Sequence, residues 1–342
     1  MTTEPVTRRR LDVLVTMPFT DVQLTRVRDV SPEVTVRRED PPTADYGSAD
    51  VLYAGAPPRD LTKARKLRWV QLHMAGVNAL HDHPLYTDSA VPLTTTSGVH
   101  AATIAEYAIT TVLALAHHVP RMVEWKARGG WPPDEQRWEL FVPAEIRGTT
   151  LGVIGYGSIG RELARLAKRA FGMRVLACKR DPSQRRDPGY CPPGTGDPDG
   201  VLPDAWLSPK ELPDLLTGSD VVVMCAPLTT ETRHMMGARE FARMKPSAYF
   251  VNVGRGASVD ETALAQALGE RRLAGAAIDV FEQEPPPPGH PLYSIDNVIV
   301  SPHVSGFLPS YDDKCTELFA ENLRRYLAGA PLLNLVERAR GY

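Results

Sequence analysis

Short continuous apolar runs recur along the chain, separated by turn signals and by stretches with helical spacing. Runs at 11–16, 51–53 and 69–72 predict strands of a small α/β unit, punctuated by Pro41-Pro42, Pro57-Pro58 and Asp82-His83-Pro84. A long helix is predicted over 103–119. Ile104, Tyr107, Ala108, Val112, Leu115 and Val119 form its apolar face, and Pro120 is expected to stop it. Residues 121–148 are rich in Trp, Gly and Pro and read as a linker or, better, as an arm packed on a partner subunit. From 150 onward the rhythm is regular. Apolar runs at 151–154, 174–177, 220–225, 249–253, 276–280 and 298–301 alternate with helices, which predicts six parallel strands covered on both faces. Ser208-Pro209-Lys210-Glu211 carries a capping box, and Asp260 caps a further helix. One long proline- and glycine-rich loop, 181–207, breaks the rhythm and is either functional or mobile. A last amphipathic helix, 311–327, is expected to return to the first domain.

The first run after 150 leads directly into Gly155-Tyr156-Gly157-Ser158-Ile159-Gly160 and then into a helical pattern. Strand, glycine turn and helix in that order form the context of a dinucleotide fingerprint. Gly155 permits the tight turn, Gly157 the close approach of a pyrophosphate, and Gly160 the packing of helix on strand. The helix start around Ser158 and Ile159 offers unsatisfied N–H groups to phosphate.

Composition narrows the class. The chain has 342 residues, enough for two domains, and a formal net charge of −2, which gives no reason to expect nucleic acid or an anionic membrane as partner. Its 4 cysteines lack metal-ligand spacing, so reduced thiols and no metal site are expected. The polar stretch 1–10 and the short run after it do not read as a signal peptide. The most apolar stretch, 104–119, is interrupted by Glu106, Thr110, Thr111, His117 and His118, so a soluble, cytoplasmic protein is expected.

Three motifs follow the last predicted strands: Asn252-Val253-Gly254-Arg255-Gly256, Asp279-Val280-Phe281-Glu282-Gln283-Glu284-Pro285, and Ser301-Pro302-His303-Val304-Ser305-Gly306. Ligands of open parallel sheets bind outside the carboxyl ends of the strands, so an Arg, a Glu and a His are expected to converge beside a nicotinamide. With the fingerprint and with Gly98-Val99-His100-Ala101 and Ile104-Ala105-Glu106-Tyr107, these motifs make the chain resemble the D-isomer-specific 2-hydroxyacid dehydrogenase family, in its glyoxylate/hydroxypyruvate reductase-like branch.

The resemblance implies an α/β fold of two domains. A Rossmann domain, 122–306, is inserted into a smaller flavodoxin-like substrate domain of 1–121 and 307–342, with the cleft between them. It implies hydride transfer between NAD(P)H and a small 2-oxo acid or D-2-hydroxy acid. Arg255 would bind and polarise the substrate, and His303 would donate the proton, assisted by Glu284. The N–H groups near Ala75 and Gly76 would take the substrate carboxylate. Pro227, Thr232, Val253, Gly254, Asp279 and Gly306 would join the glycines at the cofactor, Asp279 facing the nicotinamide amide. A homodimer is implied as well. The end of the second strand departs from the pattern of NAD-using members. Lys179 and Arg180 stand where an acid is usual, which favours NADP over NAD, with Asp181 as the counter-reading. Alternatives are the same chemistry on 3-phosphoglycerate or on an oxyanion such as phosphite, or a non-enzymatic NAD(P)-sensing protein like the co-repressors of this fold.

Overall fold

A computed structural model describes residues 10–341; most of the polar stretch 1–10 lies outside them. The described chain divides into two compact units. One comprises 10–99, Pro188–Tyr190 and 308–341; the other comprises His100–Asp187 and Cys191–Phe307.

The first unit is built on strands β1 (Leu11–Val15), β2 (Val34–Arg38), β3 (Val51–Ala54), β4 (Trp69–Leu72) and β5 (Leu93–Thr94). They are all parallel, in the flavodoxin-like order β2-β1-β3-β4-β5. Every residue of β3 and β4 is buried, as expected for strands covered on both faces. Helix α1 (Asp21–Arg28) opens on a complete capping box from Thr20 and Gln23. On its side of the sheet, Phe19, Tyr53 and Trp69 pack with Leu318, Phe319 and Leu323 of the helix Tyr311–Leu327, which does return to this unit. The opposite face packs Leu14, Leu52, Val70 and Leu72 against Leu85 of the short helix α2 (Pro84–Thr87). Strands β2 and β5 escape the sequence pattern. The first alternates, burying only Val34 and Val36, and the second has just 2 residues.

In the second unit, α3 (Ala101–Ala116) leads through α4 (Val119–Ala127) and α5 (Asp134–Phe141) to β6 (Thr150–Ile154). Helix α6 (Ser158–Phe171) and strands β7 (Arg174–Cys178) and β8 (Ala205–Leu207) follow. Next come α7 (Leu212–Gly218), β9 (Val221–Met224), α8 (Ala238–Phe241), β10 (Tyr249–Asn252), α9 (Glu261–Gly269), β11 (Gly275–Ile278) and β12 (Val298–Val300). The sheet order is β12-β11-β10-β9-β6-β7-β8, all parallel, with the fingerprint strand where the order reverses. Among the described residues this sheet has 7 strands rather than the six predicted. The additional one, β8, is a half-buried edge strand hidden in the stretch read as loop.

Two further differences have clear causes. The predicted helix 103–119 ends at Ala116, because His118 adopts a left-handed φ of 55°. Pro120 does not stop it; it lies in the first turn of α4, where its missing N–H is not needed. The boundary between units falls at His100, whereas the sequence suggested 121. Ile104, Ala105, Ala108, Val112 and Leu115 of α3 join the core formed by Leu151, Val153, Leu163 and Ala164, so that helix packs with the second unit. Helices α4 and α5 bury none of their residues, and Trp131 and Trp138 are 80 % and 78 % exposed. No helix among the described residues is long and apolar enough to cross a membrane.

Candidate active site

The fingerprint has the geometry its glycines require. Gly155 adopts φ 98°, and a Cβ there would lie 2.5 Å from the amide nitrogen of Ala226. A Cβ at Gly160 would lie 2.6 Å from the Gly155 carbonyl oxygen and 2.8 Å from Val153 Cγ1, which is the close helix-on-strand contact. At Gly157 nothing stands within 4 Å of that direction, so the backbone is open to a pyrophosphate. Gly157 N-caps α6 without a side-chain partner for the first amides, and α6 begins at Ser158 and Ile159. These residues fit a dinucleotide.

At the end of β7, Lys179 Nζ donates to the Gln184 carbonyl at 2.6 Å, and Arg180 faces Glu231 at 3.9 Å. Asp181 accepts from the Ser183 hydroxyl at 2.6 Å and the Ser183 amide at 3.0 Å. Those bonds hold its carboxyl below the usual range and engage it in its own turn. After β9, Thr232 donates its hydroxyl to the Pro227 carbonyl at 2.7 Å and accepts from the Thr229 amide at 2.8 Å.

The ends of β10, β11 and β12 carry the three motifs. Asn252 is 1 % exposed and braces its loop from both sides. Its oxygen accepts from the Gly254 amide and its nitrogen donates to the Arg255 carbonyl, each at 3.1 Å. Val253 is buried beneath this turn, and Arg255 Nη1 donates to the Gly254 carbonyl at 2.7 Å. Burial lowers the guanidinium pKa and the Glu284 charge raises it. An arginine remains charged under such a balance.

Glu284 joins the two remaining motifs. Its Oε1 accepts from the Phe281 amide at 3.0 Å, and its Oε2 lies 2.8 Å from His303 Nδ1. With Nδ1 bound to the carboxylate, Nε2 is the ring nitrogen left for a reacting group, and the His303 side chain is 51 % exposed. Asp279 is 1 % exposed. Its carboxylate accepts from the amides of Val304 at 2.9 Å and Ser305 at 3.1 Å and from the Ser301 hydroxyl, while its carbonyl accepts from the His303 amide at 2.9 Å. Asp279, expected from the resemblance to face a nicotinamide amide, thus directs both oxygens to the loop that holds His303. Gly306 closes this loop, its carbonyl 3.3 Å from His100 Nδ1.

Ala75 and Gly76 lie in the first unit, just after β4. His73, two residues before Ala75, is firmly held. The Tyr311 hydroxyl donates to the His73 carbonyl at 2.7 Å, and the Tyr53 hydroxyl lies 2.9 Å from His73 Nδ1. Burial keeps the His73 imidazole below its ordinary pKa, against the opposing pull of Asp312. All 4 cysteines are free, and burial pushes the thiols of Cys178, Cys225 and Cys315 up to about 12.

Of the three residues the sequence proposes for chemistry, the structure pairs Glu284 with His303 and places Arg255 just after β10. The sequence reading missed the supporting Asn252, Ser301 and Tyr107, the last donating within 2.6 Å of the Ser301 oxygen. Their signal was weak: an Asn before a glycine turn, and a serine and a tyrosine that look like ordinary strand and helix residues.

The family described as D-isomer specific 2-hydroxyacid dehydrogenase, NAD binding domain, matches residues 109–305. The glyoxylate reductase of Aeropyrum pernix is 36 % identical over 285 residues, which are 81 % of this chain and 78 % of that protein. The D-3-phosphoglycerate dehydrogenase of Methanocaldococcus jannaschii is 33 % identical over 277 residues, 81 % of this chain and 48 % of that one. Among solved structures, a D-isomer specific 2-hydroxyacid dehydrogenase from Xanthobacter autotrophicus Py2, in complex with NADPH and MES, is similar with a TM-score of 0.78. It is 28 % identical and covers 98 % of this chain and 100 % of its own. The chain belongs to the D-isomer-specific 2-hydroxyacid dehydrogenase family. It is an NAD(P)-dependent oxidoreductase of 2-oxo and 2-hydroxy acids; the oxyanion and nucleotide-sensing alternatives are not favoured.

Proposed function

We propose that this enzyme reduces a small 2-oxo acid of the glyoxylate or hydroxypyruvate class, with NADPH as its preferred reductant. The observation that carries the reading is the 2.8 Å pairing of His303 with Glu284, on the same sheet edge as the braced Arg255. The bound reduced nicotinamide supplies a hydride to the carbonyl carbon. Arg255 holds the carboxylate and the ketone oxygen through its fork of donors and draws electron density toward that oxygen. His303 delivers the proton from Nε2 to the developing alkoxide, while Glu284 holds Nδ1 and fixes the ring. In the oxidative direction the neutral His303 takes the proton from the hydroxyl. Ala75 and Gly76 are assigned to the substrate carboxylate on the resemblance alone. The relatives named glyoxylate reductase support the substrate class.

The NADP preference rests on Lys179 and Arg180 at the end of β7 and on the engagement of Asp181 with Ser183. A 2′-phosphate finds two cations there, while the Asp181 carboxylate is turned through Oδ1 to Ser183 of its own turn. The dinucleotide contacts are assigned to Gly155, Gly157, Ser158, Ile159, Gly160, Pro227, Thr232, Val253, Gly254 and Gly306, with Asp279 holding the loop of His303 beside them. The unit carrying β1–β5 is assigned to the substrate. The exposed arm of α4 and α5 supports a homodimer. Oxidation of NADPH and NADH, side by side, against glyoxylate, hydroxypyruvate, pyruvate and longer 2-oxo acids tests the reading. A higher kcat/KM with NADPH and with the two-carbon or hydroxylated acids supports it. A preference for NADH overturns the cofactor assignment, and turnover of only long-chain acids overturns the substrate class.

A further inference from the structure

The stretch between β7 and β8 is tied to the dinucleotide motif through one buried arginine. Arg161 directly follows Gly160 and is 2 % exposed. Its Nε donates to Asp187 Oδ2 at 3.2 Å, its Nη2 to the Arg185 carbonyl at 2.7 Å, and its Nη1 to the Asp197 carbonyl. The guanidinium also lies over the ring of Tyr156, 5.0 Å from its centroid. Tyr156, between the first two fingerprint glycines, donates its hydroxyl to Asp197 Oδ2 at 2.8 Å. Asp197 is itself 4 % exposed and accepts from the amides of Val201 at 3.0 Å and Leu202 at 3.1 Å. The neighbouring Glu162 accepts from the Gly196 amide at 2.6 Å. A charge this deeply withdrawn from water persists only when its donors are met, and here the loop meets them. The loop is therefore built onto the first turn of α6.

The same contacts reach the end of β7. Arg161 holds the Arg185 carbonyl, and the adjacent Gln184 carbonyl accepts from Lys179 Nζ. The turn between them is closed by the Gln184 amide donating to the Asp181 carbonyl at 3.2 Å and by the Asp181 side chain on Ser183. A shift of the Arg185 carbonyl would carry the Gln184 carbonyl, and with it the lysine ammonium.

We propose that Arg161, with Asp187 and Tyr156, is a positioning residue for the adenosine end of the dinucleotide: by fixing the 181–187 turn it sets where Lys179 and Arg180 stand, and so which ribose 2′ substituent is recognised. This rests on the assignment of Lys179 and Arg180 made above. Arg161 acts not on the nucleotide itself but through the Asp187 carboxylate and two backbone carbonyls. Its planar fork matters, because a lysine could not hold the Asp187, Arg185 and Asp197 oxygens together.

The test compares the wild type with Asp187→Asn, which removes the ion pair at a residue whose side chain is 32 % exposed, and with Arg161→Lys. Dissociation constants for NADPH and NADH are measured on the full chain by nucleotide fluorescence, with thermal stability alongside. The expected result is a move of the NADPH/NADH affinity ratio toward parity, by about fivefold or more in Asp187→Asn, the scale of a modest coupling between sites. Arg161→Lys is expected to move it further, and kcat at saturating cofactor in Asp187→Asn is expected to stay close to wild type. A ratio unchanged in both variants overturns the proposal, even if both cofactors bind more weakly, because a purely structural anchor weakens both alike. If Arg161→Lys does not fold, Asp187→Asn decides alone. A wild type that prefers NADH overturns the phosphate assignment of Lys179 and Arg180. The variants then still test the positioning role, since the ratio moves only if this turn shapes the ribose pocket.

Discussion

His303 occupies a left-handed backbone position, φ 55°, that histidine tolerates better than most residues. Its amide is held by the Asp279 carbonyl and its ring by Glu284, so the ring is aimed before substrate arrives. His303→Ala is expected to lower kcat by about 10²–10⁴, the usual contribution of a positioned acid–base group, with the NADPH dissociation constant nearly unchanged. Single-turnover kinetics and a binding titration check this; turnover near the wild-type rate would remove the acid–base assignment. His73 gives a pH prediction of the opposite kind. Burial depresses its folded pKa below the ordinary 6.5. Below 6.5 the unfolded chain therefore takes up a proton that the folded chain resists until lower pH, and stability falls as pH falls through that window. Urea midpoints at pH 7.5 and 5.5 are expected to drop for the wild type and to drop less for His73→Gln.

Between elements, the tightest approach near the site is at Gly256. A Cβ there would overlap the Phe281 carbonyl carbon and the Glu282 amide nitrogen, backbone that leads straight to Glu284. Gly256→Ala is expected to push the ends of β10 and β11 apart, with a cost of roughly 1–3 kcal/mol in stability for overpacking and a loss of kcat/KM larger than that loss of stability explains. Denaturant melts and steady-state kinetics on the same preparation check this. The elements that bear chemistry were legible because fully buried parallel strands read as continuous apolar runs, and because each functional residue falls a few positions past one. The elements that escaped have no such run. Strand β2 alternates, β5 is 2 residues long, and β8 is half-buried behind 26 residues without another strand or helix, Lys179 to Asp204. Arg161 was equally invisible, because an arginine one turn into a helix looks like any solvated charge until the loop that buries it is seen.

At the scale of the whole chain, α4 and α5 bury none of their residues, and Trp131 between them and Trp138 on α5 are 80 % and 78 % exposed. Large exposed aromatics of this kind mark interfaces. The double substitution Trp131→Ala and Trp138→Ala is expected to convert the proposed dimer to monomer in sedimentation velocity at micromolar concentration, with the fold retained by circular dichroism. A wild type that sediments as a monomer would dismiss the arm as an interface.

The helix α10 (Tyr311–Leu327) also sets an order of assembly during synthesis. Cys315, Leu318, Phe319 and Leu323 are fully buried and cover one face of a sheet whose strands were all made by Thr94. Everything that builds the second unit leaves the ribosome in between, ending with β12 at Val300. The half begun first is therefore finished last, and its Val13, Val15, Tyr53 and Trp69 remain without their covering helix for most of translation. That interval leaves apolar sheet surface uncovered, the condition that favours aggregation of a chain still being made.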